Sequence, residues 1–224
     1  MSGSLPEMPL QIDIVSDVVC PWCIIGYQQL QRALAELPGR FDVDLHWHPF
    51  ELNPGMPASG QDLREHLAQK YGTTPAQSAA ARERLTTLGE SLGFRFDYFD
   101  GMRMVNTFRA HQLLHWAAEE GRQTELKLAL FEAFFTRRED VNDEQVLVTV
   151  AGRAGLSSAD AMTVLRDERY AMPVREAQQQ WLDREVHAVP NFVFNQQFSV
   201  PGAQEADTFV RVLTRIYDQH LAHA

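Results

Sequence analysis

Cysteine is scarce in this sequence, since only Cys20 and Cys23 are present among 224 residues. A bridge between them would contribute little to folding, because a disulfide stabilises chiefly by closing a long loop. A zinc site needs about four ligands, and no second Cys-x-x-Cys pair exists to complete one within the chain. Thiol–disulfide chemistry is therefore the use of the pair that the sequence favours.

Positive charge and long apolar runs are also lacking. The chain has 20 Lys and Arg against 30 Asp and Glu, and its net charge of −10 would repel a nucleic-acid backbone. No stretch reaches the roughly eighteen apolar residues of a membrane span. The first seven residues lack the cationic start and apolar run of a secretory signal. We therefore expect a soluble, cytoplasmic protein that binds neither nucleic acid nor membranes, with its oligomeric state left open.

Two alternations of apolar and polar residues predict strands over residues 10–15 and 41–50. Between them, apolar residues at spacings of three and four predict a helix that begins near Cys20 and stops at Pro38 and Gly39. A helix that connects two strands in this way makes them parallel. Cys20 then lies where a strand gives way to the N-terminus of a helix.

The middle of the chain, residues 61–185, is rich in helix-forming residues at helical spacing and predicts an inserted helical segment. Its clearest helices span residues 62–71, 75–92, 107–119, 123–137, 143–154, 158–166 and 173–184. After the insertion, a strand over 188–194, a turn at 195–197 and a strand over 198–200 predict a hairpin. A last helix follows over 205–221, so the fold class is α/β with a helical insertion.

The Cys-Pro-Trp-Cys motif has the spacing of a redox-active dithiol. At a helix N-terminus the first sulfur lies beside unpaired backbone N–H groups and the positive end of the helix dipole, which favour negative charge on it. The second cysteine lies one turn further into the helix, within reach of the first and shielded from substrate. We therefore predict that Cys20 attacks a substrate disulfide and that Cys23 resolves the mixed disulfide.

Three separated segments carry a resemblance to a known family: Ser-Asp-Val-Val-Cys-Pro-Trp-Cys at 16–23, Ala-Val-Pro-Asn-Phe-Val-Phe-Asn at 188–195 and Val-Pro-Gly-Ala-Gln at 200–204. They resemble the DsbA-like thioredoxin family, most closely its cytoplasmic FrnE-type branch, which is related to 2-hydroxychromene-2-carboxylate isomerases. The resemblance implies a thioredoxin fold, a central mixed sheet flanked by helices, with an inserted all-helical subdomain. It divides the chain into thioredoxin parts at 8–55 and 186–224 and a subdomain at 56–185.

The same resemblance implies a reaction and a substrate-binding loop. We expect a thiol–disulfide oxidoreductase or isomerase that acts on disulfides of proteins or small molecules and uses a cellular thiol as reductant. No cofactor is expected, other than glutathione as a co-substrate. Val189–Pro190 corresponds to the family's cis-proline bond, which faces the sulfurs and presents the Val189 backbone to an extended substrate; a trans proline that opens an edge strand is the alternative. Pro21 and an exposed Trp22 complete the predicted substrate-binding residues.

Two positions depart from the family pattern. Thioredoxin-type enzymes usually carry a buried acid six residues before the first cysteine, where this chain has Ile14. Whether the flanking Asp13 or Asp17 relays the resolving proton stays open. Glutathione-using relatives have a serine at the position of Cys20 and an acidic residue near Gln204. This chain has a cysteine at the first of these positions and Gln204 at the second, which weakens an isomerase function.

Charged and titratable side chains near the motif are the remaining candidates. His187 precedes the proline loop, where it is expected to approach Cys20, and Asp17 is expected to oppose negative charge on that sulfur; both are predicted modulators. Two histidine pairs have spacings that could hold a metal. They are His111 with His115 on a helix and His46 with His48 on a strand. The helical pair lacks the glutamate of a zinc hydrolase and the strand pair alternates with apolar residues, so we predict structural roles and no metal site.

Three classes of function stay open at this point. The first is the disulfide oxidoreductase. The second is a glutathione-dependent isomerase or transferase, which would lose little activity when Cys23 is removed. The third is a redox-inert binding protein in which the cysteines of two chains share a zinc ion.

Overall fold

The computed structural model describes residues 7–223, with the backbone alone of His223. Residues 1–6 and Ala224 lie outside the described residues. The prediction that the chain has no secretory signal rests mostly on those first six residues. Within the described range, no helix combines the length and the apolar character that a bilayer span requires.

The chain begins with the predicted strand–helix–strand unit. Strand β1 spans Met8–Ser16, helix α1 spans Pro21–Ala35 and strand β2 spans Phe41–Pro49. The two strands pair in parallel along their whole length, which confirms the prediction. Helix α1 forms because apolar side chains recur at three and four residues and are buried together; among them are Ile24, Tyr27, Leu30 and Ala33.

The insertion is helical, as predicted, and every helix bound agrees with the predicted one to within two residues. In chain order its elements are β3 Gln61–Asp62, α2 Leu63–Tyr71, α3 Pro75–Ser91, β4 Arg103–Met104, α4 Phe108–Glu119, α5 Gln123–Phe135, α6 Glu144–Arg153, α7 Ser158–Asp167 and α8 Ala171–Asp183. Side-chain caps fix several helix starts, such as the reciprocal bonds between Thr74 and Gln77 that begin α3. The antiparallel pair β3–β4 was not predicted, because two residues are too few to show an alternation.

The C-terminal part returns to the sheet. Strands β5 Asn191–Phe194 and β6 Phe198–Pro201 form the predicted hairpin, and helix α9 spans Ala206–His223. Strand β5 begins three residues later than predicted. The four-stranded sheet has the order β2-β1-β5-β6, with β1 antiparallel to β5. The mixed sheet of a thioredoxin fold is thus confirmed.

A side chain of the insertion docks onto the edge of this sheet. Gln123, the first residue of α5, accepts a hydrogen bond from the Trp47 backbone N–H and donates one to the Trp47 carbonyl, each at 2.9 Å. The Trp47 indole also donates to Thr124. These bonds replace a strand partner on the outer edge of β2 and fix α5 beside the end of the sheet.

One hydrophobic cluster runs through both the sheet and the insertion. It includes Ile12 of β1, Leu30 of α1 and Phe131 of α5, all of which are fully buried. The insertion therefore packs as part of the same core. The division at residues 55/56 and 185/186 stays a prediction.

Candidate active site

Cys20 occupies the N-cap position of helix α1. Its backbone is extended (φ −93°, ψ 111°), and Pro21 takes the first helical position, where a missing N–H costs no hydrogen bond. The Cys23 backbone N–H donates to the Cys20 carbonyl at 3.1 Å. No acidic side chain lies in the first turn, so no carboxylate of the helix itself offsets the positive end of its dipole.

The two sulfurs differ in their surroundings. Both cysteines are free thiols, and the side chain of Cys20 is hydrogen-bonded to that of Cys23. Cys23 is completely buried, and this burial, together with the neighbouring Cys20, raises the pKa of its thiol well above the usual value. Cys20 is only 3 % exposed, although its predicted role as the attacking thiol requires access to substrate. Its access comes from a cavity.

That cavity has a volume of about 310 Å³ and is bounded on one side by the motif and the proline loop. Cys20, Pro21, Trp22 and Val189 all line it, together with residues of α2, α3 and the end of α5. Trp22 is 49 % exposed, as predicted. Three of the four predicted substrate-binding residues therefore share a cavity with Cys20. That the insertion lines this cavity as well was not predicted.

The proline loop lies directly against the Cys20 sulfur. The Val189–Pro190 bond is cis, which confirms the predicted isomer. The Cys20 thiol donates to the Val189 carbonyl at 3.8 Å. Pro190 is buried, and its carbonyl accepts from the Gly202 N–H at 2.8 Å. Within residues 7–223 the Val189 N–H has no hydrogen-bond partner, so this backbone can pair with an extended ligand.

A buried carboxylate lies beneath the motif, at Asp17. It accepts hydrogen bonds from the Val18 and Leu52 backbone N–H groups at 2.8 Å, and from His111 Nε2 at 3.2 Å. His111 Nε2 also faces the Phe50 carbonyl at 3.2 Å, and since both neighbours are acceptors this nitrogen carries the proton. Burial raises the pKa of Asp17, but these donors and the charge of Lys127 outweigh it and lower that pKa below 3.8. Asp17 is therefore an anion at neutral pH.

A buried cation, Lys127 of α5, faces the same region. Its ammonium nitrogen lies 5.4 Å from the ring centroid of Trp47 and 5.1 Å from that of Phe131. Burial lowers the pKa of Lys127 to about 8, against the opposing pull of Cys23, Asp17 and Cys20. A second cavity, of about 20 Å³ and thus large enough for one water molecule, adjoins Lys127 and His111.

Sequence reasoning missed Lys127 and only partly found Asp17. The position of the usual family acid is filled by the fully buried Ile14, and Asp13 bonds to His48 and Gln11 rather than to a cysteine. Asp17 supplies the buried carboxylate instead. A signal for Lys127 was present, because it stands four and seven residues before Phe131 and Phe134 on the apolar stripe of its helix.

The predicted modulator His187 is not brought to the site. Its side chain is exposed, lines neither cavity described above and makes no hydrogen bond or ion pair within residues 7–223. Its influence on Cys20 stays a prediction without geometric support. Asp17, the other predicted modulator, contacts the motif through its backbone, since its carbonyl accepts from the Cys20 N–H at 3.3 Å.

The histidine pairs have structural partners. His111 bonds to Asp17 as described, and the ring of His115 lies 5.2 Å from that of Tyr170. On strand β2, His46 contacts Asp44 at 2.9 Å and His48 contacts Asp13 at 2.7 Å. Among the described residues, no group of three or more His, Cys, Asp or Glu has an arrangement that could hold a metal ion.

A helix-capping Cys-x-x-Cys that faces a cis-proline loop defines a thioredoxin-type dithiol site. The profile of the DsbA-like thioredoxin domain family matches residues 11–214. The chain belongs to this family.

Individual relatives agree with that assignment. A crystal structure of a probable DsbA oxidoreductase from Streptomyces coelicolor is 33 % identical, covers 93 % of this chain and 90 % of its own, and superimposes with a TM-score of 0.88. The uncharacterized protein YwbO of Bacillus subtilis (strain 168) is 26 % identical over 208 residues, 92 % of this chain and 97 % of YwbO. A 2-hydroxychromene-2-carboxylate isomerase shares the fold, with 13 % identity, a TM-score of 0.69 and coverage of 96 % and 99 %.

Proposed function

We propose that this chain is a thiol–disulfide oxidoreductase or isomerase that works through its Cys-Pro-Trp-Cys dithiol. Cys20 is the nucleophile and Cys23 the resolving thiol. One arrangement carries the proposal: Cys20 caps α1 and faces both a cavity and the Val189 carbonyl, while Cys23 is sealed behind it. Membership of the DsbA-like family supports chemistry of this general kind.

The first step joins the substrate to Cys20. The Cys20 thiolate attacks one sulfur of the substrate disulfide, and the other substrate sulfur leaves as a thiolate. The N–H and carbonyl of Val189 can pair with an extended substrate and so hold the disulfide beside Cys20. A mixed disulfide between Cys20 and the substrate results.

The second step releases the substrate. Cys23 loses its proton, attacks the Cys20 sulfur and expels the second substrate thiol, so that the protein holds a Cys20–Cys23 disulfide and the substrate has gained two electrons. A cellular thiol then restores the dithiol. Glutathione, as a co-substrate, has the chemistry for this return step.

Deprotonation of Cys23 is the unfavourable part of the second step, because burial raises the pKa of that thiol. The positive charge of Lys127 opposes this rise. Asp17 stays ionised, whereas the pKa of Lys127, about 8, makes it the buried group whose protonation changes near neutral pH. We assign Lys127 the role of a positioning residue that acts through Cys23.

Substrates and setting follow the chemistry of the site. We propose disulfide-containing proteins or small molecules as substrates and the cytoplasm as the location, where a thiol reductant is abundant. The negative net charge disfavours nucleic acid as a partner. The burial of both sulfurs disfavours a zinc ion shared between two chains, and a cysteine at position 20 disfavours the isomerase.

Two cysteine variants test this function. After incubation with oxidised glutathione, Cys23→Ser should accumulate one glutathione adduct on Cys20, because nothing resolves the mixed disulfide. Cys20→Ser should accumulate none, since the buried Cys23 is shielded and poorly ionised. Intact-mass analysis gives the answer, and equal adduct formation in the two variants would contradict the assigned roles.

The same pair of variants separates the oxidoreductase from the isomerase alternative. Reduction of a disulfide substrate in multiple turnover should be lost in both variants. A glutathione-dependent isomerase would retain nearly all of its activity in Cys23→Ser, because it uses only the residue at position 20.

A further inference from the structure

The cavity in front of Cys20 is apolar over most of its wall but contains one full positive charge. Aliphatic and aromatic side chains dominate the lining, among them Leu63, Leu67, Leu85, Tyr98, Met104 and Phe134. Arg82 of α3 lies among them. No carboxylate lines the cavity, although the chain carries 30 acidic residues.

Arg82 has no anionic partner of its own. Its Nε donates to the Ser78 carbonyl at 3.3 Å, and within residues 7–223 its guanidinium forms no ion pair. Burial raises the pKa of Tyr98, and the charge of Arg82 opposes that rise, so the neutral phenol lies within the field of the guanidinium. The remaining four guanidinium N–H donors of this half-buried side chain are available to a ligand.

Two hydroxyl groups on the same wall are also unpartnered. Ser78 Oγ and Thr73 Oγ1 are buried without a hydrogen-bond partner, and Ser78 as a whole is 4 % exposed. Ser78 and Arg82 lie one helical turn apart on α3, on the face that lines the cavity. Buried polar groups without a partner are rare and costly, so their presence here indicates a ligand that completes them.

We propose that this cavity selects small-molecule disulfides in which an apolar, aromatic body carries a carboxylate or a similar anionic group. The apolar body fills the cavity, and the anion pairs with Arg82 and accepts from Ser78 and Thr73. The volume of about 310 Å³ is at the lower end of the range for small-molecule sites. This assignment of a substrate class rests on the thiol–disulfide function proposed above.

The reaction with such a substrate needs no further reactant for one turnover. The Cys20 thiolate attacks a substrate sulfur, and the first aromatic thiolate leaves. Cys23 then attacks the Cys20 sulfur, the second aromatic thiolate leaves, and the protein dithiol has become a disulfide. Two electrons pass from the protein to the substrate, and the proton of Cys23 passes to the solvent.

Single-turnover kinetics with pre-reduced protein test the proposal. The anionic probe is 5,5′-dithiobis(2-nitrobenzoate) and the neutral aromatic probe is 2,2′-dithiodipyridine; both release a coloured thiol. The quantity to compare is the ratio of the second-order rate constants for the anionic and the neutral probe, because the intrinsic reactivity of Cys20 cancels in that ratio. Arg82→Gln should lower the ratio about tenfold, as the loss of a charge-assisted hydrogen bond does.

The control is Arg84→Gln, which removes one positive charge from the exposed face of the same helix. It should leave the ratio unchanged. Ser78→Ala should also lower the ratio, while its melting temperature stays equal to that of the wild type or rises, because the hydroxyl has no partner in the protein. A purely structural role for Ser78 would not produce this combination.

An equal ratio in the wild type and Arg82→Gln, or an equal fall in Arg82→Gln and Arg84→Gln, would overturn the proposed substrate class. Release of no thiol from either probe by the wild type would refute the redox function itself, and the substrate class with it. The two failures are therefore distinguishable.

Discussion

Replacement of Lys127 by methionine should make this protein more stable and its resolving step slower. The chain contains two lysines, and one of them is placed in the core, between the rings of Trp47 and Phe131. Methionine has a similar length and no charge, so Lys127→Met removes the cation with little change in packing. The two effects have different causes and can be measured separately.

The gain in stability follows from the pKa of Lys127. Burial lowers this pKa from 10.5 to about 8, and at about 1.4 kcal/mol for each pH unit the difference corresponds to about 3 kcal/mol. Below pH 8 the lysine is charged in both the folded and the unfolded state, so the folded state bears the whole cost. We therefore expect the free energy of unfolding of Lys127→Met to exceed that of the wild type by about 3 kcal/mol at pH 7.

The sign of the pH dependence is fixed by the same pKa. Between pH 8 and 10.5 the unfolded chain keeps the proton that the folded Lys127 has lost, so the wild type gains stability relative to the variant as the pH rises. The advantage of Lys127→Met should thus be constant below pH 8 and should shrink above it. Urea denaturation of the reduced proteins at pH 7, 8 and 9 measures this trend.

The cost in function concerns Cys23. The charge of Lys127 lowers the pKa of this thiol, and without it the resolving thiolate becomes scarcer. Lys127→Met should therefore slow resolution at pH 7. The second equivalent of thiol released from 5,5′-dithiobis(2-nitrobenzoate) reports this step, while the first equivalent reports the attack by Cys20.

The control for both measurements is Arg215→Met, which removes an exposed positive charge from α9. It should change neither the stability by more than about 0.5 kcal/mol nor the second step. If Lys127→Met is no more stable than the wild type and releases the second thiol at the same rate, Lys127 is not a charged group coupled to Cys23, and the reasoning is refuted.

Two further predictions concern the stability of the site. Asp17→Asn should lower the free energy of unfolding by about 2 kcal/mol at pH 7, because two backbone N–H groups and His111 lose a charged acceptor. The pKa of Asp17 is below 3.8 in the folded state, so this difference in stability should be constant above pH 4 and disappear as the pH falls below 3.8. Acid denaturation of the two proteins measures it. A difference that persists at low pH would show that the Asp17 charge is not its cause. Gly26→Ala should lower the free energy of unfolding by about 1–3 kcal/mol, and with it the melting temperature, because its Cβ would lie 2.9 Å from the Phe192 ring. The control is Gly55→Ala, where no atom lies within 4 Å, and equal melting temperatures of the two variants would show that α1 is free to shift.

Local patterns were sufficient for most of the fold. The apolar stripe of α1 and the alternation in β1 and β2 each involve neighbours within a few residues, and their bounds were predicted closely. The pair β3–β4 was missed because its two residues in each strand leave no pattern to read. The cis isomer of Val189–Pro190 came from the family resemblance, since an ordinary proline would have the same local sequence.

The motif was equally visible, but its electrostatic surroundings were not. Asp17 is bound by Leu52 and His111, which are 35 and 94 residues away along the chain. A local pattern cannot connect residues that are so far apart along the chain. The sequence therefore indicated that Asp17 is near Cys20, but not that hydrogen-bond donors surround its carboxylate. Lys127 interrupts an apolar stripe, a feature that also occurs at helix edges where the side chain reaches solvent.

The helix dipole and the buried Lys127 give the two cysteines different electrostatic surroundings, although Pro21 and Trp22 between them carry no charge. The end of α1 acts on Cys20, at the N-cap, while the ammonium of the buried Lys127 acts on Cys23. Oxidation to the Cys20–Cys23 disulfide removes the two sulfurs that help to keep Lys127 protonated and leaves Asp17 as its remaining anionic neighbour. The cost of the buried lysine is therefore greater in the disulfide than in the dithiol, so Lys127 favours the reduced protein. A protein that favours its dithiol is a weaker reductant of substrate disulfides, but its own disulfide is reduced readily, so a cellular thiol easily returns it to the reduced state.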